Sequence, residues 1–196
     1  MSHESPPAAP RILLLPGWLG SGAGHWQRCW QLQYGDLLVE QSDWITPRRG
    51  DWIARLEDVV LAESGPVALV AHSLGCHLAA AWASSSRQTA RVTGALLVAP
   101  PDLTRPDLPP ALLPWQRALP ARALPFAATV VASTNDPYCS PQAAQRMAGQ
   151  WGADCALIGA LGHINADSGL GEWPQGRALL RATLERNRHN HPPSPD

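Results

Sequence analysis

Between Val67 and His77 the chain reads Val-Ala-Leu-Val-Ala-His-Ser-Leu-Gly-Cys-His. No other stretch restricts the possible folds as much. Val67 to Ala71 is apolar and uncharged, the composition of a strand buried on both faces. From Leu74 to about Ser86 the composition becomes rich in Leu and Ala and suits a helix. Only His72-Ser73 separates the two, so the turn residue must hold a strained backbone, at roughly 1–3 kcal/mol. Gly75 removes a side chain where the new helix passes the strand. The pattern is small-x-Ser-x-Gly, a nucleophile elbow, with Ala71 where glycine is usual. A buried serine in an ordinary strand-to-helix turn is the alternative, and the rest of the chain decides between them.

The 196 residues suit one domain, and a hydrophobic fraction of 45% supplies its core. A net charge of −1 gives no electrostatic basis for binding nucleic acid or an anionic membrane. There is no lysine, which excludes Schiff-base chemistry and a Walker-type phosphate lysine. Cys29, Cys76, Cys139 and Cys155 form no C-x-x-C pair and no zinc pattern; Cys76 and Cys155 sit in apolar runs and read as buried. Neither a metal nor a cofactor is expected. Met1 to Pro10 lacks the features of a signal peptide, and with the cysteine pattern this points to a cytoplasmic setting. Ser64 to Ser86 is uncharged and long enough to span a bilayer, but Pro66, His72-Ser73 and Gly75 interrupt it. A strand followed by a helix accounts for it better.

Residues 1–10 and 187–196 read as disordered tails around a domain at 11–186. Strands are expected at 11–15, 37–40, 67–71, 94–99, 128–133 and 155–160. Helices are expected at 25–34, 51–63 with Asp51 as cap, 74–86, 141–151 and 174–186. Residues 100–125 contain eight prolines and read as an irregular excursion with one helical turn near Trp115. Six strands alternating with helices imply a mostly parallel sheet covered on both faces. Ligands bind such sheets at the carboxyl ends of the strands.

A serine hydroxyl needs a base within reach, and the base needs a carboxylate to orient it. On this kind of sheet the order is Ser, acid, His. His77 lies inside a helix and His189 and His191 in the tail, which leaves His163, just after the last strand. Asp136 follows the fifth strand and is the favoured acid; Asp102, after the fourth, is the rival, and Asp154 lies at the wrong edge. For the oxyanion, the N–H of Leu74 is one donor, and the loop after the first strand supplies the other, Trp18 with Leu19 as fallback. His25 and Trp26 are candidates for facing the pocket. His72 either lines its entrance or packs beside the elbow. Asn165 and Ser168 either brace His163 or satisfy their own loop.

Leu15-Pro16-Gly17-Trp18, His25-Trp26-Gln27, His72-Ser73-Leu74-Gly75-Cys76, Ala99-Pro100-Pro101-Asp102, Asn135-Asp136-Pro137-Tyr138, Gly162-His163-Ile164-Asn165 and Trp173-Pro174 occur in that order. Together they resemble the small serine-hydrolase family that includes YdeN-like bacterial proteins and human retinoblastoma-binding protein nine. The resemblance spans residues 11 to about 186. It implies a single-domain α/β-hydrolase fold with a reduced six-stranded sheet, no large lid, and Ser73, Asp136 and His163 as nucleophile, acid and base. With no large lid the site should be open, and a small acyl substrate is expected as partner: a short-chain ester first, or an amide, since triad chemistry serves both. One departure matters: Leu78 stands where the L-x-C-x-E motif for the retinoblastoma pocket needs glutamate, so that partner is not expected. Two other readings remain: a catalytically silent interaction scaffold, and a nucleotide site at Gly17, Gly20, Gly22 and Gly24, whose spacing does not match G-x-G-x-x-G.

Overall fold

The computed structural model describes residues 9–117 and 122–190, the last four as backbone only. Six strands, β1 (Arg11–Leu15), β2 (Leu37–Leu38), β3 (Val67–His72), β4 (Val92–Val98), β5 (Ala128–Ala132) and β6 (Asp154–Leu157), form one sheet in the order β2-β1-β3-β4-β5-β6. Every pairing is parallel. The helices are α1 (Trp26–Tyr34), α2 (Arg49–Ala62), α3 (Leu74–Ala83), α4 (Leu113–Gln116), α5 (Pro141–Trp151) and α6 (Pro174–Asn190). This is an α/β-hydrolase architecture. No described helix is long and apolar enough to cross a membrane, and the uncharged run at 64–86 divides into β3 and α3.

Alternation along the central strands sorts the core into two layers. Leu13, Leu15, Leu69, Ala71, Leu97 and Val130 face α2, α3 and α5, packing with Trp52, Leu56, Leu78 and Trp151. Leu14, Val70, Leu96, Val98 and Val131 face α1 and α6, packing with Trp26, Trp30 and Leu180. From β1 the chain steps outward to β2, then returns to place β3 on the other side of β1. The helices that follow β1 and β3, α1 and α3, therefore cover opposite faces, and the site lies at the carboxyl ends of these two strands, where the order switches.

Edges and caps differ from the sequence expectation. β2 stops at Leu38, with one further bond from Val39 N–H to the Leu14 carbonyl. Glu40 is exposed beyond it. As the outer strand on the other side, β6 leaves Cys155 exposed, not buried. α2 starts at Arg49, so Asp51 is not its cap but lies in its first turn, where a carboxylate complements the helix dipole. α3 ends at Ala83 because the hydroxyls of Ser84 and Ser85 turn back onto the carbonyl of Ala81. Residues 187–190, expected as tail, continue α6. The rest of that expected tail, and all but the last two residues of the N-terminal one, lie outside the described residues.

Tryptophans hold the irregular segments. Indole N–H groups of Trp18, Trp52 and Trp115 donate to the carbonyls of Ile45, Asp43 and Pro47, pinning the loop before α2. On the opposite layer, Trp26 and Trp30 donate to the carbonyls of Ile164 and Glu172. Large rings, all but Trp18 fully buried, thus satisfy backbone that no strand or helix pairs.

A Cβ on Gly75 would lie 2.2 Å from the Leu15 carbonyl oxygen, whereas one on Gly149, exposed within α5, meets nothing. Gly75→Ala is expected to lower Tm by roughly 2–12 °C, from an overpacking cost of about 1–3 kcal/mol. Gly149→Ala is expected to raise it by roughly 1–4 °C. Calorimetry of both variants checks the contrast, and the reverse order would contradict the close approach.

Candidate active site

β3 runs through His72, and α3 begins at Leu74. Ser73 alone makes the turn, with φ 54° and ψ −125°. For a residue with a Cβ this is costly backbone, held because its surroundings leave no alternative. Ser73 N–H is bonded to the Val98 carbonyl at 2.9 Å, and its own carbonyl accepts from Cys76 N–H at 2.9 Å. The loop after β1 passes directly over it: a Cβ on Gly17 would come within 2.6 Å of the Ser73 Cβ. Ala71 sits in regular β3, its methyl buried in the core, so the elbow accommodates it without distortion of the strand.

The Ser73 hydroxyl lies 2.9 Å from His163 Nε2. On the other side of the ring, Nδ1 is 2.9 Å from Asp136 Oδ2 and 3.1 Å from Oδ1. The Asp136 side chain is only 2% exposed and that of His163 10%. Asp136 Oδ1 also accepts Tyr138 N–H at 2.8 Å, and the Tyr138 ring stands edge-on to the imidazole at 4.7 Å. The two loops are tied together upstream. Asn135 Oδ1 accepts Gly162 N–H at 2.7 Å, and Ser133 Oγ accepts Leu161 N–H at 2.9 Å. Such a line lets a proton leave a hydroxyl for an imidazole whose charged form faces a carboxylate.

Leu74 opens α3, so its N–H has no acceptor within the helix. Of the two candidates on the β1 loop, Leu19 N–H is taken by the Trp44 carbonyl at 3.1 Å. Trp18 N–H has no such acceptor among the described residues, which leaves it free where Leu19 is not.

These groups open into a pocket of about 460 Å³. Trp18, Leu19, Leu108, Pro109 and Leu112 give it an apolar wall; His25, His72, Arg105, Tyr138 and Asn165 give it polar ones. Of the three residues put forward for the pocket, His25 and His72 line it. Trp26 does not: it is wholly buried behind them against Trp30 and Trp173, with its N–H on the Ile164 carbonyl. Asp102 is no partner of His163; its carboxylate accepts Thr104 within its own turn. His77 is buried and bonded to the Pro101 carbonyl. Asn165 and Ser168 cap each other around a short 3-10 turn, and so shape the loop that carries His163 without touching its ring. Arg105 joins the excursion to the acid loop: it pairs with Asp107, donates to the Pro137 carbonyl and lies over Tyr138. The single sequence signal for it is the proline-rich composition, which marks a rim but not its contacts.

Cys76, one turn past Ser73, is not a rival nucleophile. Burial pushes its thiol well above the usual range, and its sulfur contacts the Val98 carbonyl. Burial pushes His25 down to about 4, with His163 adding to the effect, and holds His72 well below the ordinary histidine range. His77 is also lowered to about 4 by burial.

A family model described as serine hydrolase matches residues 12–182. No curated protein matches the sequence. Among solved structures, a YdeN-like hydrolase from Pectobacterium atrosepticum is 27% identical, with a TM-score of 0.79 over 90% of this chain and 91% of that one. The ydeN gene product of B. subtilis is 19% identical, with a TM-score of 0.69 over 90% of this chain and 100% of that one. The monoacylglycerol lipase of Paleococcus ferrophilus is 11% identical and covers 91% of this chain and 96% of its own, with a TM-score of 0.68. The last two likenesses are of fold.

Three lowered histidines make acid destabilising. Unfolded, each takes a proton near its ordinary value of 6.5; folded, His25 and His77 resist down to about 4. The unfolded chain binds more protons across that window, so stability is full above it and falls with acidification, by at most about 1.4 kcal/mol per pH unit for each group. Urea denaturation at pH 7, 6 and 5 is expected to follow this slope, shallower in His77→Gln. A flat profile would contradict the buried neutral assignment.

Proposed function

The chain belongs to the serine hydrolase family, and on that premise we propose that it cleaves small acyl esters through an acyl-enzyme on Ser73, with His163 as base and Asp136 as orienting acid. One observation carries the reading: Ser73 Oγ, His163 Nε2 and Nδ1, and Asp136 Oδ2 lie in hydrogen-bonded succession, 2.9 Å at each contact, with Ser73 and His163 lining an open pocket.

In this mechanism Ser73 Oγ attacks the acyl carbon as its proton passes to His163 Nε2. Asp136 accepts the Nδ1–H throughout, which fixes the tautomer and stabilises the imidazolium. The carbonyl oxygen, now an oxyanion, takes the N–H groups of Leu74 and Trp18, each contributing roughly 3–4 kcal/mol to the transition state. Collapse expels the alcohol, which leaves with the proton from His163 Nε2. Water then enters, gives its proton to the same nitrogen, and releases the acid in the reverse sequence.

The apolar wall at Trp18, Leu19, Leu108 and Leu112 suits the hydrocarbon part of an acyl group. The same chemistry serves amides, but an alcohol leaves more readily than an amine, so short-chain esters are the first substrates to assay. A reducing, cytoplasmic setting fits the four free thiols.

Wild type is expected to react covalently with a fluorophosphonate probe, and Ser73→Ala to lose that reaction, with kcat/KM on a p-nitrophenyl ester down roughly 10⁴–10⁶-fold. Asp136→Asn is expected to cost roughly 10³–10⁴-fold. Equal labelling of wild type and Ser73→Ala would overturn the assignment. A folded wild type that neither labels nor hydrolyses would favour a silent scaffold.

A further inference from the structure

His163 sits in a loop between β6 and α6, where no strand or helix holds its backbone. Its neighbours make the loop demanding. Gly162 has φ 57° and Ile164 φ 50°. A β-branched residue in the left-handed region costs roughly 1–3 kcal/mol and persists only where its surroundings fix it. Asp136 holds the imidazole by Nδ1, but that contact alone lets ring and loop shift together. Ser133 and Asn135 hold the main chain before His163, at the N–H groups of Leu161 and Gly162; the carbonyls of His163 and Ile164 need partners of their own.

We propose that His72 and Trp26 are positioning residues for His163, each donating one hydrogen bond to successive carbonyls of the loop that carries it. His72 Nε2 lies 2.9 Å from the His163 carbonyl oxygen, and Trp26 Nε1 lies 2.8 Å from that of Ile164. A carbonyl only accepts, so the His72 proton is on Nε2. The inference rests on the reading of His163 as the base.

His72 is unusual in what it joins. Its backbone runs directly into Ser73, while its side chain grips the residue that Ser73 must reach. The separation of hydroxyl and imidazole is therefore set through a single residue, with no intervening loop. Its ring is confined, 4.9 Å from the His163 ring on one side and 4.6 Å from His25 on the other. His25 in turn caps α1, accepting Gln27 N–H on Nδ1, and Trp26 is the first residue of that helix. Nucleophile strand, α1 and base loop are thus joined at one cluster of rings. Burial keeps His72 neutral, so it adds no positive charge beside the imidazolium that the mechanism forms.

The test compares His72→Phe, which keeps a ring but loses the donor, with His72→Gln, which keeps a donor but loses the ring. Trp26→Phe does the same for the second contact, and stands in should His72→Phe fail to fold. Steady-state kinetics on p-nitrophenyl acetate and Tm are measured for each. His72→Phe is expected to lose roughly 10–100-fold in kcat with KM little changed, as for a misplaced base. His72→Gln is expected to recover most of that loss, and Trp26→Phe to fall in the same direction. Unchanged kcat in folded His72→Phe and Trp26→Phe, or equal losses in His72→Phe and His72→Gln, would overturn the inference while leaving the base assignment intact. A wild type inert to both ester and fluorophosphonate would instead overturn the reading on which it rests.

Discussion

The structure depends on how closely two chain segments pass at the carboxyl end of the sheet. α3 starts against the carbonyl oxygens of Leu15 and Pro16, close enough that Gly75 can carry no side chain. The loop after β1 in turn crosses over Ser73 at Gly17. Ser73 is caught between them in backbone that an unconstrained serine avoids. Leu74, which opens α3, and Trp18, which follows Gly17, belong to the two segments in contact, and both line the pocket beside Ser73. The strain at Ser73 and the close passage of the two segments are one geometric event.

Around that contact, most of the active-site chain is irregular, and side-chain donors do the work that ladders do elsewhere. Ser133 and Asn135 hold the acid loop to the base loop. Trp18, Trp52 and Trp115 hold the segment that supplies the Trp44 carbonyl, which occupies Leu19 N–H. His72 and Trp26 hold the loop at His163. Five of the nine tryptophans, Trp18, Trp26, Trp30, Trp52 and Trp115, meet this demand. An indole fills a large core volume and still brings one N–H to a loop carbonyl that would otherwise be buried without a partner.

Much of this was legible in the residues. The apolar run Val67 to Ala71 could only be a strand buried on both faces, and it is. Proline at the start and Gly152 after the end bound α5 at the expected residues. Ser73 was put forward from the elbow pattern, Asp136 and His163 from chain order, and the three side chains lie in hydrogen-bond succession. What failed depended on distant partners. Cys155 reads as buried from its apolar neighbours, but β6 is an edge strand and leaves it open. Trp26 and His25 are adjacent in sequence and reach opposite fates, one behind the pocket wall and one in it, because a helix begins between them. Nothing local separates Trp18 from its fallback Leu19; the carbonyl that occupies Leu19 N–H belongs to Trp44, 25 residues away. The role of His72 toward His163 spans 91 residues and leaves no local signature.

The central claim is that Ser73 becomes covalently acylated during turnover. Rapid mixing with p-nitrophenyl acetate, followed by acid quench and peptide mass analysis, tests it most directly. The account predicts a p-nitrophenol burst approaching one equivalent per enzyme wherever deacylation is the slower step, and an acetyl group on the peptide containing Ser73. Steady turnover with the acetyl group on another residue, such as Cys76, or on none in a variant slowed in deacylation, would contradict it.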